Sequence, residues 1–403
     1  MNILYLNAVL FVLLSNTFVD TLFIRPFIRS LVSVNRFLKN DDKPIYPKLN
    51  INELSETDKY DLQWYVIGKK SDFIPNKSKK ITIWSKNYVV WKDKNDSYFA
   101  LDDVCPHKGA SLSGGEIHNN CAVCPYHGYE FNTNGTLVKV PGINFHSSPI
   151  YDVSKFAVVE KNGWVYLNTM ATNTSSDEIN TMYTNTSSDE INTIANNTST
   201  QIKIFEEEEV SKNCSVVFLE MDFNCYSRIL SENSLDVMHI GFVHTFGNRK
   251  NPAPTKEYPP KLISPYHYKT AYEYESGDDS IVKKVFGIKH LKIENEFILP
   301  HTTVARVIFG DYVSTVITFA LPLSENKSRL FVKTYRNFWD NEIGDSITRK
   351  LMYNTMLQDK LVVENIDSNF MDGKFNMKYD KLQNTYKSFY KRFIHNYTNE
   401  ENN

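Results

Sequence analysis

Two short loops constrain this chain more than any other feature: Cys105-Pro106-His107 and Cys124-Pro125-Tyr126-His127, separated by the sixteen residues 108–123. Thiolate and imidazole are the usual protein ligands of zinc and iron. Two Cys and two His can converge on one zinc ion. Alternatively, both Cys can hold one iron of a two-iron cluster and both His the other. Either way the loops must meet, so the chain around them has to present two tight turns to one point. Gly109, Gly114, Gly115 and Gly128 crowd the same loops and allow such turns and a close backbone approach. The five cysteines (Cys105, Cys121, Cys124, Cys214 and Cys225) are odd in number and irregular in spacing, which excludes a disulfide framework. Cys121 lies near the second loop, but the spacing to His127 favours Cys124 as the ligand, leaving Cys121 a buried thiol. His118 and His146 fit neither loop and read as surface or core-satisfied histidines.

The flanking sequence reads as β structure. Ile81–Trp84 and Tyr88–Trp91 flank Ser85-Lys86-Asn87 as a hairpin, and Tyr98–Leu101 forms a strand leading into the first loop. Ala157–Glu160 and Trp164–Leu167 flank Lys161-Asn162-Gly163, a strong hairpin turn. Residues 62–168 therefore read as one small antiparallel β domain. The 25 Phe and 24 Tyr suit a β-rich fold with apolar cavities, although an AT-biased coding sequence would enrich the same residues. With 41% hydrophobic and 23% charged residues most of the chain should be globular, and a formal charge of -2 gives no reason to expect nucleic-acid binding.

Residues 1–40 open on the apolar run 3–14, interrupted further on by Asn16 and Asp20, then become basic with Arg25, Arg29, Arg36 and Lys39. The segment reads as a membrane anchor, a cleaved signal peptide, an organelle-targeting sequence or a buried N-terminal helix, and the lack of Lys or Arg before the apolar run weakens the ordinary secretory reading. The string TNTSSDEINT occurs at 172–181 and again at 184–193. Being polar and lacking an apolar face, it cannot build a packed repeat, so 170–200 reads as a linker or surface loop, followed by a solvated charge run, Glu206–Glu209.

Beyond it, Val216–Phe223, Tyr266–Tyr274, Thr303–Phe309, Val313–Leu321 and Leu330–Phe338 have strand character. Residues 226–243 and 345–369 have helical spacing. The tail 379–395 is amphipathic, with Leu382, Tyr386, Phe389, Tyr390 and Phe393 on one face. The second half is thus an α+β domain. It carries Asn233-Ser234-Leu235-Asp236-Val237-Met238-His239-Ile240-Gly241-Phe242-Val243-His244. Two histidines and a carboxylate holding iron with open positions form the facial triad of O2-activating sites, although a bare H-x4-H is weak by itself.

The string CPHKGASLSGG…CPYHGYEF resembles the Rieske family along both loops, and N-x-x-D-x-x-H-x4-H resembles the mononuclear-iron helix of Rieske-type non-haem iron oxygenases. The resemblance covers roughly residues 60–395 without the repeat. It implies a [2Fe–2S] cluster on Cys105, His107, Cys124 and His127, and a mononuclear Fe(II) on His239 and His244. In that family the third ligand is an Asp on a late helix. Here Asp359 fits, sharing a helical face with Val362, Val363 and Ile366, with Glu364 and Asp367 as rivals.

The implied architecture is an all-β Rieske domain (60–169) followed, after the linker, by a helix-grip-like antiparallel-sheet catalytic domain (201–396). The implied activity is oxidation of a hydrophobic ring-containing substrate by O2. Relatives acting on chlorophyll-derived tetrapyrroles look similar in layout, and sterol-desaturating and aromatic-demethylating relatives are alternatives. Electrons would come from NAD(P)H through a reductase and ferredoxin, and subunits would form a head-to-tail homotrimer. The N-terminal segment would associate with a membrane or direct the chain to a plastid-like organelle. Asp236, on the same helical face as His239, would accept the N–H of that ring. By resemblance it would also take a hydrogen bond from a cluster histidine of the neighbouring subunit, His127 before His107. An electron carrier would need the cluster only, so iron content separates the two function classes: about three irons per chain against two.

Overall fold

Alternating apolar residues between turn signals build two small sheets in the first half of the chain. The structure, a computed structural model, describes residues 62–172, 207, 214–244, 247–264, 266–277 and 280–392. The N-terminal segment 1–40, the repeat beyond Thr172, the charge run apart from Glu207, and Phe393 lie outside the described residues.

Six strands make the first sheet: β1 (Trp64–Lys69), β2 (Lys79–Ile83), β3 (Lys86–Lys92), β4 (Tyr98–Asp102), β9 (Lys155–Lys161) and β10 (Trp164–Ala171), in the order β1-β10-β9-β4-β3-β2. The short strands β5 (Ile117–His118), β6 (Cys121–Val123), β7 (Glu130–Phe131) and β8 (Leu137–Lys139) form a second sheet that carries the cysteine loops. The second hairpin turns where expected, but on Asn162-Gly163 alone, both at positive φ, because Lys161 already pairs with Trp164. The first hairpin turns one residue early. Trp84-Ser85, not Ser85-Lys86-Asn87, occupies the turn, at φ 50° and 66°. The turn docks elsewhere: Trp84 N–H donates to Pro322 O at 3.0 Å and Ser85 N–H to Leu323 O at 2.8 Å. Those two bonds, together with packing of the Trp84 ring, outweigh the preference for glycine at such positions.

The second half builds an eight-stranded antiparallel sheet from β11 (Ser215–Phe223), β12 (Lys256–Glu257), β13 (Lys261–Ser264), β14 (His267–Glu275), β15 (His290–Ile298), β16 (Thr302–Phe309), β17 (Tyr312–Ser324) and β18 (Lys327–Arg336). Its order is β11-β18-β17-β16-β15-β14-β12, with β13 beside β14. The period of two gives each strand two jobs. Val217, Leu219 and Phe223 pack with Met356 and Val363 of a long helix on one face. Phe218, between them, turns to the other face, where Trp164 meets Phe218, Phe319 and Phe331 edge-on. The fully buried Trp164 thus sits in a core shared by both sheets, a burial of about 4–6 kcal/mol by apolar area. Val66 N–H also donates to His301 Nε2 at 3.2 Å across the same seam.

The helices are α1 (Ser227–Leu235), α2 (Ile240–Val243), α3 (Ile281–Phe286), α4 (Glu342–Val363) and α5 (Lys381–Tyr390). The apolar stripe of α5 is buried at Leu382, Tyr386, Phe389 and Tyr390, as its spacing requires. Residues 226–243 are not one helix. The chain leaves helical geometry at Asp236 (φ -69°, ψ 131°), and that break shapes the site. Among the described residues no helix is long and apolar enough to cross a membrane.

Candidate metal centres

The two cysteine loops are copies of one backbone design. Cys105 N–H donates to Ala110 O and Gly109 N–H to Cys105 O, both at 2.8 Å. Cys124 N–H donates to Tyr129 O at 2.8 Å and Gly128 N–H to Cys124 O at 2.9 Å. Each loop closes through a glycine in the left-handed region, Gly109 at φ +73° and Gly128 at φ +69°, where a Cβ would be strained. Each design turns its cysteine inward and its histidine outward. Cys105 and Cys124 are buried, whereas His107 and His127 are exposed with ring centroids 4.6 Å apart. Burial holds the Cys105 thiol above its usual range, opposed by a backbone hydrogen bond at His107 and reinforced by the Cys124 sulfur. Two buried sulfurs side by side suit a bound cation, which would hold both as thiolates. Sulfurs inside and imidazoles at the rim match the donor set of a [2Fe–2S] cluster ligated by two Cys and two His. Cys121 stands apart on β6, half-buried, its sulfur facing Asn119 O at 3.7 Å. His118 and His146 are on the surface.

In the second half, His239, His244 and Asp359 converge, their ligand atoms all within 4.8 Å of one another. His239 Nε2 lies 3.1 Å from His244 Nε2, and Asp359 Oδ1 lies 3.5 and 3.4 Å from them. Ligand atoms about 2.1 Å from a shared ion in neighbouring positions stand roughly 3.0–3.4 Å apart, so this triangle has the size of a coordination face. Asp359 Oδ1 is buried with no hydrogen-bond partner among the described residues. His244 Nδ1 lies 3.2 Å from Gln358 Oε1; with its proton donated there, the Nε2 lone pair faces the triangle. Burial keeps His244 below the usual imidazole range, with Asp359 opposing, so the ring is held neutral as a ligand requires. A buried oxygen lacking a partner and lone pairs aimed at one point fit a divalent cation.

The backbone reaches this arrangement by a route the spacing did not suggest. Asp236 Oδ1 accepts from Met238 N–H at 2.7 Å and His239 N–H at 3.2 Å, an Asx turn that ends α1 and starts the one-turn helix α2. Asp236 and His239 therefore do not share a helix face. Within the chain the carboxylate serves the backbone instead of the His239 ring, whose buried Nδ1 has no partner among the described residues. His239 caps the start of α2, and His244 follows its end in extended geometry, which turns both rings to one side. Gly241 does not loosen the helix. It lets α2 lie against Pro252, since an added Cβ would be 2.6 Å from Pro252 Cβ. Tyr274 OH donates to Val237 O at 3.2 Å and ties this loop to the sheet. On α4 the buried companions of Asp359 are Met356 and Val363, while Val362 and Ile366, expected on its inner face, are exposed. Gln358 and Tyr274 were missed by sequence reasoning. Adjacency to Asp359 was the available signal for the first, and the second had none.

Comparison with known proteins bears on both centres. The Rieske [2Fe-2S] domain family matches residues 63–151. The chloroplastic pheophorbide a oxygenase of Oryza sativa subsp. japonica is 27% identical over 289 residues, 68% of this chain and 49% of that protein. The Arabidopsis thaliana protein of the same name is 24% identical over 305 residues, 68% of this chain and 48% of that one. The chain thus spans about half the length of these curated relatives. A cholesterol 7-desaturase of Drosophila melanogaster is 33% identical over 97 residues, 23% of each chain. Dicamba monooxygenase bound to dicamba superposes with TM-score 0.67 at 18% identity, covering 84% of this chain and 98% of that one. A structure of the same protein with non-heme iron and dicamba gives 0.64 at 17%, covering 84% and 98%.

A Rieske domain sharing its core with a helix-covered antiparallel sheet is the Rieske oxygenase fold. Residues 63–151 match the Rieske [2Fe-2S] domain family, and the chain as a whole is similar in sequence and fold to Rieske non-haem iron oxygenases.

Proposed function

We propose that this protein is an oxygenase in which Cys105, His107, Cys124 and His127 hold a [2Fe–2S] cluster and His239, His244 and Asp359 hold Fe(II). The observation that carries this reading is the Asp359 carboxylate, brought from a distant helix to complete the two-His triangle. When bound, the cluster supplies single electrons and the iron an open-sided centre for O2. The residues of the chain hold and orient both. An electron carrier would have no use for the triad.

For the substrate, the reading is a hydrophobic ring system, and a chlorophyll-derived tetrapyrrole before a sterol or an aromatic ether. The pheophorbide a oxygenase matches run through 68% of the chain, whereas the cholesterol 7-desaturase match covers 23% of it. The exposed rings of His107 and His127 suit delivery of electrons to a neighbouring subunit. The exposed apolar residues Val104 and Tyr126 beside them, and Tyr353, Leu357 and Leu361 along α4, support a homotrimer. Asp236 would then bridge to His127 of the partner subunit. Electrons would arrive from NAD(P)H through a reductase and ferredoxin, with residues 1–40 directing the chain to a membrane or plastid-like organelle. Iron analysis of the reconstituted protein, with turnover of pheophorbide a, cholesterol and an aromatic methyl ether, tests this. The expected result is about three irons per chain and O2-dependent oxidation of the tetrapyrrole. Two irons and no turnover would leave an electron carrier instead.

A further inference from the structure

The eight-stranded sheet carries polar groups in its helix-covered face, and folding satisfies them unequally. Register sets Asn295, Ala305, Val316, Thr334 and Val217 directly opposite one another in a single row across five strands. Two residues along the same face, Thr303 and Thr318 are also opposite each other, and their hydroxyls pair at 2.5 Å. The first row has no such pairing. Asn295 Oδ1 and Thr334 Oγ1 are buried with no hydrogen-bond partner among the described residues. Thr270, on the other side of Asn295, gives its hydroxyl proton to Tyr258 O at 3.1 Å and so has none for the amide. A buried polar atom without a partner is destabilising until a partner arrives.

Between these two groups the face is not fully covered. Ala305 and Val316 are part-exposed, and so is Val307 beside them. Val307 packs with Val237, Met238 and Ile240 of the loop that carries His239, while Val316 packs with Met352 and Met356 of α4, which carries Asp359. A floor of small apolar side chains thus lies between the two elements that bring the His239–His244–Asp359 triangle together. Strands neighbour one another at about 4.8 Å, so Asn295 and Thr334, three strands apart, stand roughly 14 Å from each other along the sheet. Two hydrogen bonds of about 2.9 Å leave roughly 8 Å between the polar atoms of a molecule that reaches both, more than one six-membered ring spans. A change of staggered rotamer turns either side chain toward the floor between them.

We propose that Asn295 and Thr334 are specificity-determining residues that select a multi-ring substrate. Asn295 Oδ1 accepts from an N–H or O–H at one edge of the ring system, Thr334 Oγ1 bonds a polar group at the other, and the rings lie on Ala305, Val307 and Val316. A site built to hydrogen-bond a substrate group discriminates against analogues that lack it. The inference rests on the reading of the triangle as the iron site, which iron content and O2-dependent turnover check separately.

The test is anaerobic equilibrium dialysis of the iron-loaded full chain against pheophorbide a, cholesterol and anisole, for the wild type, Asn295→Leu and Thr334→Val. Anisole has one ring and no N–H or O–H. The wild type should bind a multi-ring probe more tightly than anisole, and each variant should weaken that binding at least tenfold while leaving anisole unchanged. Thermal denaturation without ligand supplies the second readout. Both variants replace an unpartnered buried polar atom by an apolar one, so they should melt no lower than the wild type. Thr318→Val, which strands the Thr303 hydroxyl, should melt lower. Wild-type affinity for the multi-ring probe in both variants overturns the proposal, as does a wild type that binds neither pheophorbide a nor cholesterol. Melting temperatures of Asn295→Leu and Thr334→Val lowered like that of Thr318→Val would make both residues structural, which also overturns it.

Discussion

Replacing Gln358 by Leu removes the acceptor for His244 Nδ1 while keeping a side chain of similar size. The contact is 3.2 Å long and involves a buried ring, so no bulk water stands ready to take the proton in its place. Without the bond, the ring loses both a fixed orientation and a fixed tautomer, and its Nε2 donor is less basic. Loss of such a partner behind a metal-bound histidine weakens metal affinity by about 10–100-fold, or roughly 1.4–2.8 kcal/mol. The site leaves little room for compensation, because Asp359 Oδ1 and His244 Nε2 already face the same point at 3.4 Å. Anaerobic equilibrium dialysis of the cluster-loaded protein against Fe(II) and a competing chelator would read the change, with cluster absorbance as the control. Gln358→Glu retains an acceptor and should keep affinity close to wild type. Wild-type Fe(II) affinity in the Leu variant, with its cluster intact, would refute the role of Gln358 in orienting His244.

Four further outcomes follow from the same geometry. Cys124→Ser should abolish the EPR signal of the reduced cluster while Cys121→Ser spares it, because only Cys124 faces Cys105; metal analysis of both variants checks this. Gly241→Ala would press a methyl group against Pro252, cost about 1–3 kcal/mol and displace α2, lowering mononuclear iron content while cluster content stays full. Burial pushes the Glu232 carboxyl up to about 7, with Arg228 opposing, so the folded state keeps a proton that the unfolded chain has released. Stability should fall by about 3 kcal/mol as pH rises from about 4.5 to 7, and denaturation curves of Glu232→Gln should lack that slope; equal slopes in both proteins would disprove it. Asp236→Asn keeps an acceptor for Met238 and His239 N–H, so both irons should stay. Single-turnover electron transfer should nonetheless slow by orders of magnitude, and near-normal transfer would rule out the bridge to the partner's His127.

The parts of this protein that were legible in the sequence are those whose geometry is local. The cysteine loops specify their own hydrogen bonds within five residues, and Asn162-Gly163 specifies its own turn. Five of the long strands announce themselves by apolar runs. Among the longer strands β15 carries no such run: it reads HLKIENEFI, with the polar Asn295 and Glu296 among its apolar positions. They are buried, and Glu296 is held there by His267 at 2.6 Å and Arg306 at 2.7 Å, partners 29 and 10 residues away. The same distance effect governs the His239–His244–Asp359 site. His239 and His244 could be named from their motif, but not the way they come together, because one Asx turn at Asp236 replaced a continuous helix. Periodicity put Asp359 on the correct side of α4 and then credited that side with Val362 and Ile366, which solvent claims instead. A helical wheel assigns a face by angle alone. What buries a given angle is the surface across from it, here Val217, Leu219 and Phe223 on β11, brought opposite α4 by pairing with β18 more than a hundred residues along the chain. Candidate donors such as His239, His244 and Asp359 can therefore be picked out by residue type and spacing, and the fold brings these three together. The groups that aim them, Gln358 behind His244 and Tyr274 behind Val237, belong to surfaces that exist only after the sheet has formed.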